Sequence, residues 1–263
     1  MRANRLLAVT VLSVLGMTGV VACDPEDDGS GDAAASVGAS APAAAKSPAG
    51  APNGLEKLTV PEILTKAREV GSKLTSVKFT VAYESDGEKL SGTASADADG
   101  DCAGEFTRDG KGKVEVRRTG GKLYLKPDAD FLNAFVPAKA ATLKGKWLSD
   151  GSADGGRFGP MCDLGLSLQK TIGVQQDGTP DERGTKGDTK VLDGVKVVTV
   201  DLNEGQDGDT PEIASFSLEG KPYLLAVDGG AEASMGFSDF DKPVKVTAPP
   251  ADQTVSGDGL LDG

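Results

Sequence analysis

The chain has 263 residues with 28 basic and 40 acidic side chains, a formal net charge of −12, and no histidine. That much acid disfavours nucleic acid as a partner and electrostatic docking onto anionic lipid. The missing imidazole excludes Ser-His-Asp and Cys-His catalysis and histidine metal sites.

Arg2 and Arg5 precede the apolar run Leu6–Val21, the charged and hydrophobic regions of an export signal. The run is sixteen residues long, short of the about 20 that span a bilayer. It ends in Val20-Val21-Ala22-Cys23, which resembles a bacterial lipobox. On that reading residues 1–22 are removed, Cys23 carries a diacylglycerol, and the rest of the chain is extracytoplasmic and anchored to the cell membrane. The alternative is an ordinary secretory signal in which Cys23 is incidental; the junction followed at once by Asp24-Pro25-Glu26-Asp27-Asp28 favours lipidation.

Residues 23–54 are mostly Asp, Ala, Ser, Gly and Pro, a composition unable to bury enough surface to offset its ordering entropy. They are expected to form a disordered tether. The other two cysteines, Cys102 and Cys162, form an even pair in an oxidising compartment and are expected to make a disulfide. A reactive thiol pair is the alternative, and no activating neighbour is evident.

Leu55, Leu58, Ile63, Leu64, Ala67, Val70 and Leu74 recur at three- and four-residue intervals, predicting an amphipathic helix that starts near Thr59-Val60-Pro61-Glu62 and ends near Gly71. The period then becomes two. Val77, Phe79, Val81 and Tyr83 alternate with polar residues through Ser76–Glu84, and further strands are predicted at Glu88–Ala98, Cys102–Arg108, Lys113–Thr119 and Lys122–Lys126, separated by Gly-containing turns. Asp128–Leu143 is predicted helical, capped by Asp128 or Asp130, and Met161–Val174 is a second helical candidate of mixed period. Strands return at Thr189–Leu192, Val195–Leu202, Glu212–Leu218, Tyr223–Asp228 and Glu232–Phe237. The order predicts one α+β domain over residues 55–250, a large curved antiparallel β-sheet with helices gathered on one face, and a flexible tail over 251–263.

No catalytic constellation emerges. Asp97-Ala98-Asp99-Gly100-Asp101 has the acid density of a calcium loop, but Arg108 stands where an EF-hand needs its bidentate glutamate, so the segment reads as a hairpin tip. The Gly-rich segments lack phosphate-loop spacing. The expectation is a non-enzymatic protein without metal or cofactor.

Ser76-Val77-Lys78-Phe79-Thr80-Val81, Gly121-Lys122-Leu123-Tyr124-Leu125-Lys126, Gly145-Lys146-Trp147 and above all Gly236-Phe237-Ser238-Asp239-Phe240-Asp241-Lys242-Pro243-Val244-Lys245-Val246, closing with Ala248-Pro249-Pro250, carry a resemblance. In these motifs and in element order the chain resembles the actinobacterial LppX/LprAFG lipoproteins, relatives of the LolA/LolB lipoprotein carriers. The resemblance implies a half-open antiparallel barrel with helices across its concave side and a lipid-binding cavity between them. The lining would be Leu58, Ile63, Leu64, Ala67 and Val70 from the helix and Val77, Phe79, Val81, Val114, Val116, Leu123 and Leu125 from the sheet. The expected protein is a monomer that binds or transports a lipid or other hydrophobic molecule; the alternative is an interaction or envelope-sensing module in which those same residues close into a solid core.

Overall fold

The computed structural model describes residues 50–150, 158–175, 178–179, 183–203, 211–230 and 233–257. The signal segment, Cys23 and most of the expected tether lie outside the described residues. Helix α1, Val60–Gly71, begins where the sequence predicts: Thr59 is the N-cap, with its N–H and its hydroxyl both donating to Glu62 Oε2 at 2.8 Å, and Pro61 lies in the first turn. These bonds hold the Glu62 carboxyl below its ordinary pKa, the Thr59 N–H contributing most. The helix buries Val60, Ile63, Leu64, Ala67 and Gly71 on one face.

Five antiparallel strands follow as a meander: β1 (Ser76–Ser85), β2 (Glu88–Asp97), β3 (Cys102–Arg108), β4 (Gly112–Thr119) and β5 (Lys122–Pro127). Asp86-Gly87 and Gly120-Gly121 make the β1–β2 and β4–β5 turns, with φ of 53°, 76°, 58° and 72°. Positive φ at both central residues matches the twist of a two-residue hairpin. After β5 come α2 (Ala129–Phe135), a single 3-10 turn at Pro137–Lys139, α3 (Ala140–Leu143), β6 (Trp147–Asp150) and α4 (Gly159–Thr171). A second antiparallel run, β7 (Thr185–Leu192), β8 (Val195–Asp201), β9 (Ile213–Ser217), β10 (Leu224–Asp228) and β11 (Ala233–Ser238), precedes the short β12 (Thr254–Ser256).

All twelve strands belong to one open sheet, in the order β12-β6-β5-β4-β3-β2-β1-β11-β10-β9-β8-β7. Among the described strands only β12 with β6 is parallel. The fold is therefore α+β, a curved sheet not closed into a barrel. Strand β1 sits centrally, flanked by β2 and β11.

Three expectations are corrected. The helix predicted over Asp128–Leu143 is two short helices, because Val136 precedes Pro137 and takes φ −139°, ψ 53°, outside the helical region that a residue before proline disfavours. The tail predicted to be flexible from residue 251 instead holds β12, whose Thr254–Ser256 pair with Trp147–Ser149. The domain also begins before Leu55: Pro52 bridges to Glu219, and Asn53 donates from its N–H to Leu218 O at 3.0 Å and from Nδ2 to Ser217 O at 2.8 Å.

The segment between β11 and β12 carries the most specific of the family-like motifs and crosses from the middle of the sheet to its edge. Asp239 and Asp241 take φ of 51° and 58°, turning the chain out of β11. Asp241 is held by Thr75 N–H at 3.1 Å, the Thr75 hydroxyl at 3.2 Å, Lys221 Nζ at 3.0 Å and the Tyr223 hydroxyl at 3.1 Å, while Phe240 stacks on Tyr223 with ring centroids 4.0 Å apart. Burial raises the Asp241 pKa, but the Thr75, Lys221 and Tyr223 contacts outweigh it and leave the carboxyl below its ordinary value. Further on, Arg117 Nη1 donates to Thr247 O at 3.3 Å and Lys146 Nζ to Asp252 O at 3.3 Å. Trp147, beneath the Arg117 guanidinium at 4.5 Å, is buried.

Candidate functional site

Alternation along the strands sends Val77, Phe79, Ala94, Ala96, Phe106, Val114, Val116, Leu123 and Leu125 to the face that packs against the helices. Helix α4 crosses this concave face over β1 and β2. Gly165 permits the crossing, since a Cβ there would come 2.4 Å from the Phe79 ring, and Gly71 of α1 packs as closely on the Gln169 backbone. Three further contacts pin α4. Cys102 and Cys162 form the predicted disulfide, Cα–Cα 5.7 Å; Arg118 Nη1 reaches Asp163 Oδ2 at 3.0 Å; and the buried Gln169 Nε2 donates to Leu224 O at 2.8 Å.

The two ends of the concave face differ. At the Ser76 end, Asp97 Oδ1 accepts from Asp99 N–H at 3.1 Å and Asp101 N–H at 2.9 Å, so the acid-rich segment is a hairpin tip folded on its own backbone. At the Ser85 end, cross-strand register places Ala233, Tyr83, Leu90 and Arg108 side by side. Arg108 lies 5.6 Å over the Phe135 ring, Phe135 packs on Phe131 at 4.5 Å, and Phe131 on Phe158 at 6.2 Å. Since Asp163 on one flank of α4 turns to Arg118 at the Ser76 end, the opposite flank, Met161 and Leu168, looks toward the Ser85 end, with Leu164 next to it on the outer side of the helix. Tyr83, Phe135 and Leu164 are 39%, 37% and 38% exposed, and Val81, Leu90, Phe158, Met161 and Leu168 are half-buried. The Ser85 end is thus an open, apolar rim.

Three cations beside the rim are paired. Arg108 and Lys111 both contact Glu88, and Lys89 pairs with Glu84 at 3.2 Å. Along the same end the register runs through Ala82, Ser234, Asp228, Ile213 and Asp201. Nearby, burial and the neighbouring Asp201 raise the Glu212 carboxyl above its ordinary pKa. Among the described residues no cluster of three or more metal-ligating side chains occurs.

The residues expected to line a cavity divide unevenly. Ile63, Leu64, Ala67, Val77, Phe79, Val114, Val116, Leu123 and Leu125 are each at most 2% exposed and belong to one contiguous core cluster, so protein atoms enclose them. Leu58 and Val70 are half-buried on and beside α1. Of the twelve, Val81 alone borders the open rim. Cys23 lies outside the described residues. Tyr83, Leu90, Phe135, Met161 and Leu164 were not among the expected lining; the Phe131/Phe135 spacing of four and the continuation of the β1 alternation to Tyr83 were local signals for an apolar face there.

No family model matches the chain, and no curated protein matches it. Among solved structures it is similar to LprF from Mycobacterium bovis, at 16% identity over 76% of this chain and 99% of that one, TM-score 0.48. It is also similar to an uncharacterized conserved protein from Thermus thermophilus, at 12% identity over 74% and 97%, TM-score 0.35. A third is MucB in the Pseudomonas aeruginosa MucA/MucB complex, at 13% identity over 73% of this chain and 59% of that one, TM-score 0.31.

Proposed function

We propose that the chain is a non-enzymatic extracytoplasmic lipoprotein, acylated at Cys23, that binds a lipid or other apolar molecule at the Ser85 end of its concave face. The observation that carries this reading is the rim itself. Three large apolar side chains, Tyr83, Phe135 and Leu164, are left more than a third exposed beside half-buried Val81, Leu90 and Met161, and covering the exposed part of each is worth roughly 0.5–1 kcal/mol. The export signal and Cys23 support the location.

The test is native mass spectrometry of the chain purified from its own envelope. The reading expects a co-purifying apolar species that is lost in Tyr83→Asp and Phe135→Asp while the fold is retained by circular dichroism. A parent that carries and extracts no apolar molecule would defeat it. The tight packing of nine of the twelve expected lining residues favours a second reading, a module that acts through its surface with a solid interior.

A further inference from the structure

The described chain starts at Gly50, whose backbone lies against Gly220 in the β9–β10 turn, and the backbone at Pro52 bridges to Glu219. That turn is at the Ser76 end of the sheet: Lys221 and Tyr223 beside it bind Asp241, whose N–H donates to Ser76 O at 3.0 Å. The chain therefore enters the domain at the end opposite the apolar rim. The two ends are separated by the length of β1, ten residues, about 33 Å at strand rise.

Between Cys23 and Gly50 lie 26 residues, 24–49. A coil of that many small and polar residues would reach about 28 Å r.m.s. and at most about 90 Å fully extended. The mean reach thus approximates the height of the domain, the condition under which a tethered second contact has its highest effective concentration. A much shorter tether would hold the Ser76 end against the membrane and the rim away from it.

We propose that the rim docks on the bilayer that anchors the chain, with Tyr83, Phe135 and Leu164 entering its interfacial layer. The proposal rests on the anchoring at Cys23 put forward above. The contact is apolar in kind. Three cations bordering the rim, Lys89, Arg108 and Lys111, are already paired to Glu84 and Glu88, and the chain is acidic overall, so anionic lipid has little to attract. Aromatic and leucine side chains that enter the headgroup boundary by about 5–10 Å supply the binding instead.

The experiment uses residues 23–263 with Cys23→Ser, which removes the acyl chain, and sedimentation with phosphatidylcholine vesicles. The parent is expected to sediment with neutral vesicles, equally at low and high salt, with no gain from added phosphatidylglycerol. Leu164→Asp and Phe135→Asp are each expected to weaken binding about tenfold, while Val191→Asp, at a 65% exposed site on the far edge strand β7, leaves it unchanged. Leu164→Asp lies on the outer flank of α4 and keeps the test valid if Phe135→Asp fails to fold. A parent that stays in solution overturns the proposal, as does binding that requires anionic lipid and low salt, or rim variants that bind like the parent. So does self-association without vesicles in place of vesicle binding. Vesicle binding by a parent that carries no apolar molecule would uphold the docking surface and sink the ligand reading; a ligand-bearing parent that ignores vesicles would do the reverse.

Discussion

Gln169 Nε2 donates to the carbonyl oxygen of Leu224 at 2.8 Å, inside the protein, where Gln169 is 1% exposed and Leu224 fully buried. The β9–β10 register shifts between Leu224 and Ala226, so the side chain of α4 bonds a carbonyl at an irregularity in the sheet ladder. A buried carbonyl stripped of its donor costs about 1–3 kcal/mol. Gln169→Leu, close in volume but without the donor, is expected to lower stability by about that amount. Urea denaturation measures it, and an unchanged midpoint would mean that Leu224 O finds another donor.

The disulfide ties α4 to β3 across a sequence separation of 60. On the chain-entropy account, closing such a loop contributes about 4 kcal/mol. Cys102→Ala/Cys162→Ala is expected to lose about that stability while the Arg118–Asp163 pair keeps α4 in place. The comparison is made on one preparation by calorimetry with and without reductant: the parent should fall to the level of the double variant on reduction, and the double variant should not respond.

Glu212 gives a prediction in pH. Its carboxyl is raised by burial and by Asp201, so the folded state holds the proton to higher pH than the unfolded chain. The ionised carboxylate therefore costs stability above the folded pKa, and the cost is absent below the unfolded glutamate range. Glu212→Gln is expected to be more stable than the parent at neutral pH and to lose that advantage as pH falls through the range between the ordinary and the raised value. A stability difference that is flat in pH would assign the effect to packing rather than to ionisation.

The parts of this fold that were legible in the sequence are those set by local chemistry. Thr59, Pro61 and Glu62 marked the start of α1, and strict alternation with Asp86-Gly87 and Gly120-Gly121 turns marked β1 to β5. Pro137 also carried a signal, the break at Val136, that the apolar pattern of Phe131, Leu132 and Phe135 concealed. Strands β6 and β12, four and three residues long, were too short to show a periodicity, and the pairing of β12 with β6 joins residues about a hundred positions apart. The rim was illegible for a related reason. Tyr83 continues the same alternation as Val77 and Phe79, and nothing local distinguishes it from them; only the crossing of α4 at Gly165, set by tertiary contact, covers Phe79 and leaves Tyr83 open.

That difference between Phe79 and Tyr83 decides what an enlarged side chain in α1 should do. Ala67 faces the core with 2% exposure, in the same cluster as Phe79, Val77 and Leu64. An added phenyl ring has to displace packed atoms, and overpacking of this kind costs typically about 1–3 kcal/mol. Ala67→Phe is therefore expected to lower the melting temperature by several degrees, as a change of this size does in a domain of about 200 residues. Because the ligand is proposed at the rim rather than beneath α1, the same variant, where folded, should still carry whatever apolar species the parent carries in native mass spectrometry. A variant that keeps its melting temperature and loses that species would instead place a cavity between α1 and the sheet, and would return the binding site to Ile63, Leu64, Ala67, Val77 and Phe79.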